Sequence, residues 1–333
     1  MTRITVMGCG SWGTTFGMVL ADAGGRVTLW GRRSSVCDEI ASRHRNSAYL
    51  GEVPLPATMT ATTDARAALA GADLVVLAVP SQILRESLRP WRRDLPAAAV
   101  LVSLMKGVEL GTHRRMSEVI AEVAGVAPER VAVVSGPNLA AEIARRQPTA
   151  SVVACSARDV ADLVAHACST PYFRPYTNTD VVGVELGGAV KNVIALAVGI
   201  AEGMGFGDNT KASLITRGLA ETTRLGLALG ADPATLAGLA GMGDLVATCA
   251  SPLSRNRTFG VALGRGLSLP EAMAAARQTA EGVKSCGPIL ALARLHGVEM
   301  PITEQVVAAV HDGLPLAELG ARLLGRPRRP EGV

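Results

Sequence analysis

Lysine is scarce in this chain of 333 residues. Only Lys106, Lys191, Lys211 and Lys284 occur, and the rest of the 33 basic residues are arginine. A chain that uses arginine for generic positive charge leaves its lysines worth reading as chemistry. An ammonium can lose its proton when its surroundings depress its pKa, whereas a guanidinium cannot. Chance survival on the surface is the bland alternative for each. Lys191 is the most informative, because the segment from Val184 to Val198 reads as a helix that is almost wholly apolar. An unpaired ammonium is costly there, so Lys191 is expected to be paired, neutral or facing a cavity. Desolvation would move its pKa toward the working range of a general acid or base. Gly187 and Gly188, one turn earlier, are expected to leave room for a ligand over that face. The competing reading is a lysine that snorkels to solvent.

Three further stretches suit anions or a substrate. Gly8-Cys9-Gly10-Ser11-Trp12-Gly13 has the spacing G-x-G-x-x-G. The pattern alone is weak among 36 glycines, but here it follows an expected strand and opens an expected helix. The first glycine permits the tight turn, the second lets backbone approach a pyrophosphate, and the third lets helix and strand pack closely. The free N–H groups of the helix start then face the anion. Cys9 inside the loop is read as a space-filler, with a lowered thiol pKa as the alternative. An acidic residue at the end of the second strand would hold the ribose 2′-hydroxyl of NAD. Arg32 and Arg33 stand there instead and suit a 2′-phosphate. They also suit stacking on adenine, or plain solvation. NADP(H) is therefore favoured and NAD(H) left open. Ser254 is a plausible N-cap that places Arg255 and Asn256 in the first turn of a helix, a ready site for a phosphate ester. Upstream, Gly241-Met242-Gly243-Asp244 puts one carboxylate on an expected flexible glycine turn. It could orient a substrate hydroxyl or the lysine, or be a structural turn aspartate.

The elements that must carry these residues are read from apolar patterning. Ile4–Met7, Arg26–Trp30, Leu74–Val79, Val100–Ser103, Val131–Val134 and Ser151–Ala154 read as buried strands. Ser11–Ala23 reads as a helix, and helical stretches around Arg85, Met116, Glu142 and Val160 separate the later strands. Apolar strands alternating with helices indicate a parallel sheet covered on both faces. After about Asp180 the strand pattern stops and Ala/Leu/Gly-rich helical stretches run on. The expected organisation is an α/β dinucleotide-binding domain of the doubly wound Rossmann type over 1–180, an all-helical substrate domain over 181–324, and a frayed basic tail over 325–333.

Composition narrows the function classes. Hydrophobic residues are 48%, aromatic residues 3%, and the formal net charge is +4, so neither disorder nor base-stacking or basic-patch nucleic-acid binding is expected. The six cysteines form no C-x-x-C pair, which argues against a disulfide framework and a zinc site; no metal is expected. A reduced, cytoplasmic setting is the simplest. The glycines break any signal-peptide core near the N-terminus. Glu185 and Lys191 interrupt the most apolar stretch, Val181–Ile200, so no membrane insertion is expected.

Several motifs then occur in one order: the glycine loop with Trp12, Met105-Lys106-Gly107, Ser135-Gly136-Pro137-Asn138, Lys191-Asn192-Val193, Gly207-Asp208-Asn209-Thr210-Lys211, Arg217-Gly218, Gly241-Met242-Gly243-Asp244-Leu245, Thr248-Cys249, Ser254-Arg255-Asn256 and Glu281-Gly282. In this the chain strongly resembles the bacterial NAD(P)-dependent glycerol-3-phosphate dehydrogenases, from about residue 3 to about residue 305. The resemblance implies reversible reduction of dihydroxyacetone phosphate to sn-glycerol 3-phosphate for phospholipid synthesis. It implies Lys191 as proton donor and acceptor at C2. It implies substrate contacts from Lys106, Gly136, Asn138, Asp244, Ser254, Arg255 and Asn256. It implies nucleotide contacts from Ser11, Trp12, Arg32, Lys106, Ala140, Arg255, Thr279 and Glu281. Asn138 replaces the family's usual Ser or Thr, and Thr279 stands where an apolar residue is common. The alternatives are a related two-domain hydroxyacid or ketopantoate-type dehydrogenase and a non-catalytic dinucleotide sensor. Only the commonness of two-fold symmetry among enzymes points to a homodimer.

Overall fold

The computed structural model describes residues 1–275, 280–316 and 318. Thr279, the 324 boundary and the tail 325–333 lie outside these. Eight strands form one sheet: β1 (Arg3–Met7), β2 (Arg26–Trp30), β3 (Met59–Thr62), β4 (Leu74–Leu77), β5 (Val100–Ser103), β6 (Val131–Ser135), β7 (Thr149–Ala154) and β8 (Phe173–Asn178). Their order is β3-β2-β1-β4-β5-β6-β7-β8. Only the β6–β7 pair is antiparallel. The first six strands have the order of a doubly wound dinucleotide-binding sheet, with the reversal between β1 and β4. The central strands read as continuous apolar runs because both faces are covered; β4 and β6 are buried at every residue.

Two strands were not expected from the sequence, β3 and β8, and both lie at the sheet's edges. In MTAT and FRPYTN only the first residue, Met59 and Phe173, is buried and the rest are exposed or half-exposed, so neither presents an apolar run. Pro175 is tolerated in β8 because an edge strand has one side free of a partner.

From Val181 onward the described residues form helices. Helix Val181–Gly203 begins where the Asp180 carboxylate accepts the Gly183 N–H at 2.8 Å. It is buried nearly throughout because Asp208–Ala228, Asp244–Ala250, Arg255–Gly264, Glu281–Leu295 and Pro301–His311 pack around it. It is long and apolar enough to cross a membrane, but 89% of its most apolar window is buried inside the protein. A helix apolar on all sides is what a core position requires. Glu185 binds it to the sheet layer: its carboxylate accepts from Ser117 N (2.8 Å), Ser117 Oγ (2.6 Å) and Arg115 Nη1 (2.6 Å) at the start of helix Met116–Ala124.

Candidate active site

The glycine loop joins β1 to helix Ser11–Asp22, and its three glycines differ in surroundings. Gly8 has φ +139°, and a Cβ there would stand 2.5 Å from the Ala78 carbonyl oxygen. A Cβ on Gly13 would stand 2.2 Å from the Gly8 oxygen, so strand and helix meet backbone to backbone. Gly10 has nothing within 4 Å of such an atom. The middle glycine therefore faces open space, as a pyrophosphate approach needs. Gly10 occupies the N-cap without a side-chain hydrogen bond, and no acidic residue lies in the first turn. Those N–H groups and the helix dipole fit an anion. Trp12 packs against Phe16 at 5.5 Å between ring centroids, and its Nε1 is buried without a hydrogen-bond partner. Ala140 opens helix Ala140–Ala144 beside the same helix, its carbonyl accepting from Thr15 Oγ1 at 3.4 Å.

Arg32 and Arg33 follow β2 after the buried Gly31 and are exposed. The Arg33 guanidinium lies 5.1 Å from the Tyr49 ring centroid, a cation–π contact that holds it at the rim of the loop. Cys9 is buried, and burial pushes its thiol well up, which fits the space-filler reading. A Cβ on Gly31 would touch both the Cys9 and Cys37 sulfurs.

The ionisable cluster lies where the sheet meets the helices. Lys106 stands just past the end of β5 and Gly136 just past the end of β6. Asp244, only 1% exposed, bridges two ammonium groups. Its Oδ1 accepts from Lys191 Nζ at 2.7 Å and its Oδ2 from Lys106 Nζ at 2.5 Å. Lys191 also donates to Thr248 Oγ1 at 2.6 Å, and Lys106 to the Gly136 carbonyl at 2.9 Å. Lys191 is thus buried and paired rather than snorkelling. Lys106 is pushed down to about 8: burial lowers it most, Asp244 opposes, and the nearby Lys191 charge lowers it further.

Two expectations are corrected. Gly187 and Gly188 make room for protein, not for a ligand. A Cβ on Gly187 would stand 2.5 Å from the Ala240 oxygen, and one on Gly188 2.6 Å from Ser135 Oγ and 3.3 Å from the Lys106 stem. Gly188 is therefore the groove along which Lys106 reaches Asp244. The glycines before Asp244 form no loose turn either. Leu239–Gly243 is one π-helical turn running into helix Asp244–Ala250, with Gly241 pressed against the Leu236 carbonyl. Such turns are frequent at functional sites, and the extra residue re-aims the side chains of the next helical turn, Asp244 among them.

Ser254 caps helix Arg255–Gly264, its Oγ accepting the Arg257 N–H at 3.3 Å. Arg255 is exposed and Asn256 buried. The Asn256 amide accepts from Gly282 N (2.8 Å) and donates to Asn192 Oδ1 (2.9 Å). Glu281 opens helix Glu281–Leu295 beside them; burial raises its carboxyl, while Arg255, Lys191, Lys106 and Lys284 pull it down. Asn138 donates to Ser151 Oγ at 3.0 Å, and its Oδ1 is buried without a partner. Sequence reasoning gave no role to Thr248 or Asn192. The signal for Thr248 was its place four residues after Asp244, on one helix face. Asn192 stood in the Lys191-Asn192-Val193 motif, but nothing local pointed to its bond with Asn256.

Two family models cover the chain: the N-terminus of NAD-dependent glycerol-3-phosphate dehydrogenase matches residues 3–161 and the C-terminus matches residues 180–321. The glycerol-3-phosphate dehydrogenase [NAD(P)+] of Streptomyces griseus is 64% identical over 99% of this chain and 98% of its own length. Among solved structures, the glycerol-3-phosphate dehydrogenase of Coxiella burnetii superposes with a TM-score of 0.93 at 40% identity, covering 98% of this chain and 99% of that one. That of Saccharomyces cerevisiae gives 0.82 at 26%, covering 97% and 99%. Sequence order, sheet topology and full-length likeness agree, and the chain belongs to the NAD(P)-dependent glycerol-3-phosphate dehydrogenase family.

Proposed function

We propose that this chain catalyses the reversible NAD(P)H-dependent reduction of dihydroxyacetone phosphate to sn-glycerol 3-phosphate, supplying glycerophospholipid synthesis in the cytoplasm. The observation that carries the reading is the buried Asp244 carboxylate shared by Lys191 and Lys106. When bound, the nicotinamide supplies the hydride that adds to C2 of the ketone. An ammonium has three donors. Lys191 spends one on Asp244 and one on Thr248, which leaves the third for the C2 oxygen. As negative charge grows on that oxygen, Lys191 stabilises it and then gives it a proton. In the reverse direction the same amine takes the proton back. Asp244 and Thr248 fix the amine's direction, so little reorganisation is needed at the moment of transfer.

Two lysines sharing one carboxylate leave the cluster with excess positive charge, which suits a phosphate ester. Lys106, Gly136 and Asn138 bound the substrate from the sheet side. Ser254, Arg255 and Asn256 receive its phosphate at the helix start. The fit to the nucleotide rests on open Gly10 at the helix start and the orphaned Trp12 donor, with Ser11 and Gly13 in the loop, Arg32 and Arg33 at the adenosine end and Lys106, Ala140, Arg255 and Glu281 along the crevice. In this reading residues 1–180 hold the nucleotide and residues 181–324 present the substrate groups, with a basic tail after them. Small molecules are the ligands, and a homodimer is the proposed assembly, without insertion into a membrane.

The test tracks nicotinamide oxidation with NADH and NADPH in parallel. Dihydroxyacetone phosphate is expected to support turnover with at least one of them, and free dihydroxyacetone to support far less. Absence of turnover with the phosphate ester, or equal rates with both ketones, sinks the proposal.

A further inference from the structure

Four glycines join the helix that carries Lys191 to the helix that begins at Arg255. Gly199 and Gly203 lie four residues apart on the first, and Gly260 and Gly264 four apart on the second. A Cβ on Gly199 would stand 2.1 Å from the Arg257 oxygen, and one on Gly203 2.4 Å from the Val261 oxygen. Reciprocally, a Cβ on Gly260 would stand 2.3 Å from the Leu196 oxygen, and one on Gly264 2.2 Å from the Ile200 oxygen. No side chain separates the two backbones at any of these points. Helices packed through ordinary side chains keep their axes ~8–10 Å apart, so this pair is drawn closer than ridge-and-groove packing allows. Glycine is a poor helix former, so four of them in two helices cost helix stability that only this close approach requires.

A second observation fixes the same spacing independently. Asn256, in the first turn of one helix, donates to Asn192 on the other at 2.9 Å, and both amides are buried. Asn192 is the residue after Lys191. The glycine contact begins at Leu196, only ~7.5 Å along the helix from Lys191 at 1.5 Å per residue. The Lys191 amine and the Ser254–Asn256 turn therefore stand at the same end of one rigid crossing, one on each helix.

We propose that this glycine crossing is the spacer of the reaction. It sets the distance from the Ser254–Asn256 turn to the Lys191 amine, and so selects a carbonyl joined to a phosphate through a single methylene group. The inference rests on the phosphate-binding reading above. The four glycines are positioning residues and touch no substrate. A methyl group at Gly260 forces the helices apart by about 1 Å before van der Waals contact is restored. A shift of that size moves the phosphate site relative to the amine while leaving Lys191, Asp244 and Thr248 together on their own elements. Misplacement of ~1 Å is enough to cost up to ~100-fold in rate.

The test is Gly260→Ala, assayed at saturating nucleotide with dihydroxyacetone phosphate and with dihydroxyacetone. The readout is the ratio of the two kcat/KM values. The unphosphorylated ketone needs the amine but not the spacing, so its slow reaction is expected to stay within about twofold of the parent. The phosphate ester is expected to lose about tenfold or more. A ratio within about threefold of the parent, whether both rates fall together or neither falls, overturns the proposal. Should Gly260→Ala not fold, Gly264→Ala carries the same measurement at the last turn of its helix, where the chain yields more easily. The parent enzyme's own preference for the phosphate ester tests the functional reading separately. An enzyme that keeps that preference while both variants retain the parental ratio refutes the spacer alone.

Discussion

Lys191 and Lys106 face the same carboxylate yet are suited to different tasks. Lys191 has two of its donors fixed by side chains on helix Asp244–Ala250, so its remaining proton has a defined direction. Replacing it with alanine removes that proton and leaves the glycine loop untouched. Lys191→Ala is therefore expected to lower kcat by roughly a thousandfold while nucleotide affinity, read by quenching of reduced-nucleotide fluorescence, changes only a few-fold. Near-normal turnover would remove Lys191 from the mechanism. Lys106 is held down to about 8 by burial and by the neighbouring ammonium. Below that pH it is charged and favours the phosphate ester; above it the charge is lost. The kcat/KM profile for dihydroxyacetone phosphate is expected to bend downward near pH 8. Lys106→Met is expected to abolish that bend and lower the plateau by about a hundredfold. A bend that persists in the variant assigns it to another group. Lys191 was legible in the sequence because a charge inside an apolar run demands a partner, whereas Asp244 was legible only as a carboxylate beside glycines that could orient the lysine or serve a turn. Their joint partner Thr248 and the groove at Gly188 were not, because both depend on how separate helices dock.

Among the elements, helix Pro301–His311 shows how one segment borrows its cap from another. Its own N-cap, Met300, offers no side-chain acceptor. Glu221, on helix Asp208–Ala228, supplies one: its carboxylate accepts from Ile302 N at 2.5 Å, Thr303 N at 3.3 Å and Thr303 Oγ1 at 3.2 Å. Burial pushes this carboxyl up to about 7 despite those donors and nearby Arg224. Its folded value lies above the unfolded one, near 4.5, so the folded state holds the proton longer. The associated stability is complete below about pH 4.5 and is lost as pH rises to about 7, a change of about 3 kcal/mol. Glu221→Gln keeps an acceptor and does not titrate. Its melting temperature relative to the parent is expected to climb between about pH 5 and about pH 8; parallel curves would place the titration elsewhere. Element type was readable where an apolar run was unbroken and its length separated strand from helix, as in β4, β6 and helix Val181–Gly203. It was unreadable for β3 and β8, whose mostly exposed or half-exposed residues reflect a place at the sheet's edge that only the finished topology defines. The π-helical turn before Asp244 escaped for a related reason: glycines in sequence indicate freedom, and here close packing against the Leu236 carbonyl has removed it.

At the scale of the molecule, Asp244 joins two layers that the chain builds separately. Lys106 comes from the carboxyl edge of the sheet, Lys191 from the central helix, and the carboxylate reaches both from a third element. A buried charge cluster of this kind contributes little net stability when intact, but it is costly to break on one side, because the remainder is unpaired charge in a poorly hydrated place. Asp244→Asn leaves two neighbouring ammonium groups with no carboxylate between them. It is expected to lower the unfolding free energy by about 3–5 kcal/mol in urea titrations. Removing one of those ammonium groups as well, in the Asp244→Asn/Lys106→Met double variant, relieves their repulsion. The double variant is therefore expected to be more stable than Asp244→Asn alone, although it lacks two native side chains and stays inactive. Losses that simply add would mean the carboxylate acts as a local hydrogen-bond acceptor and does not hold the sheet edge and the helices in one electrostatic unit.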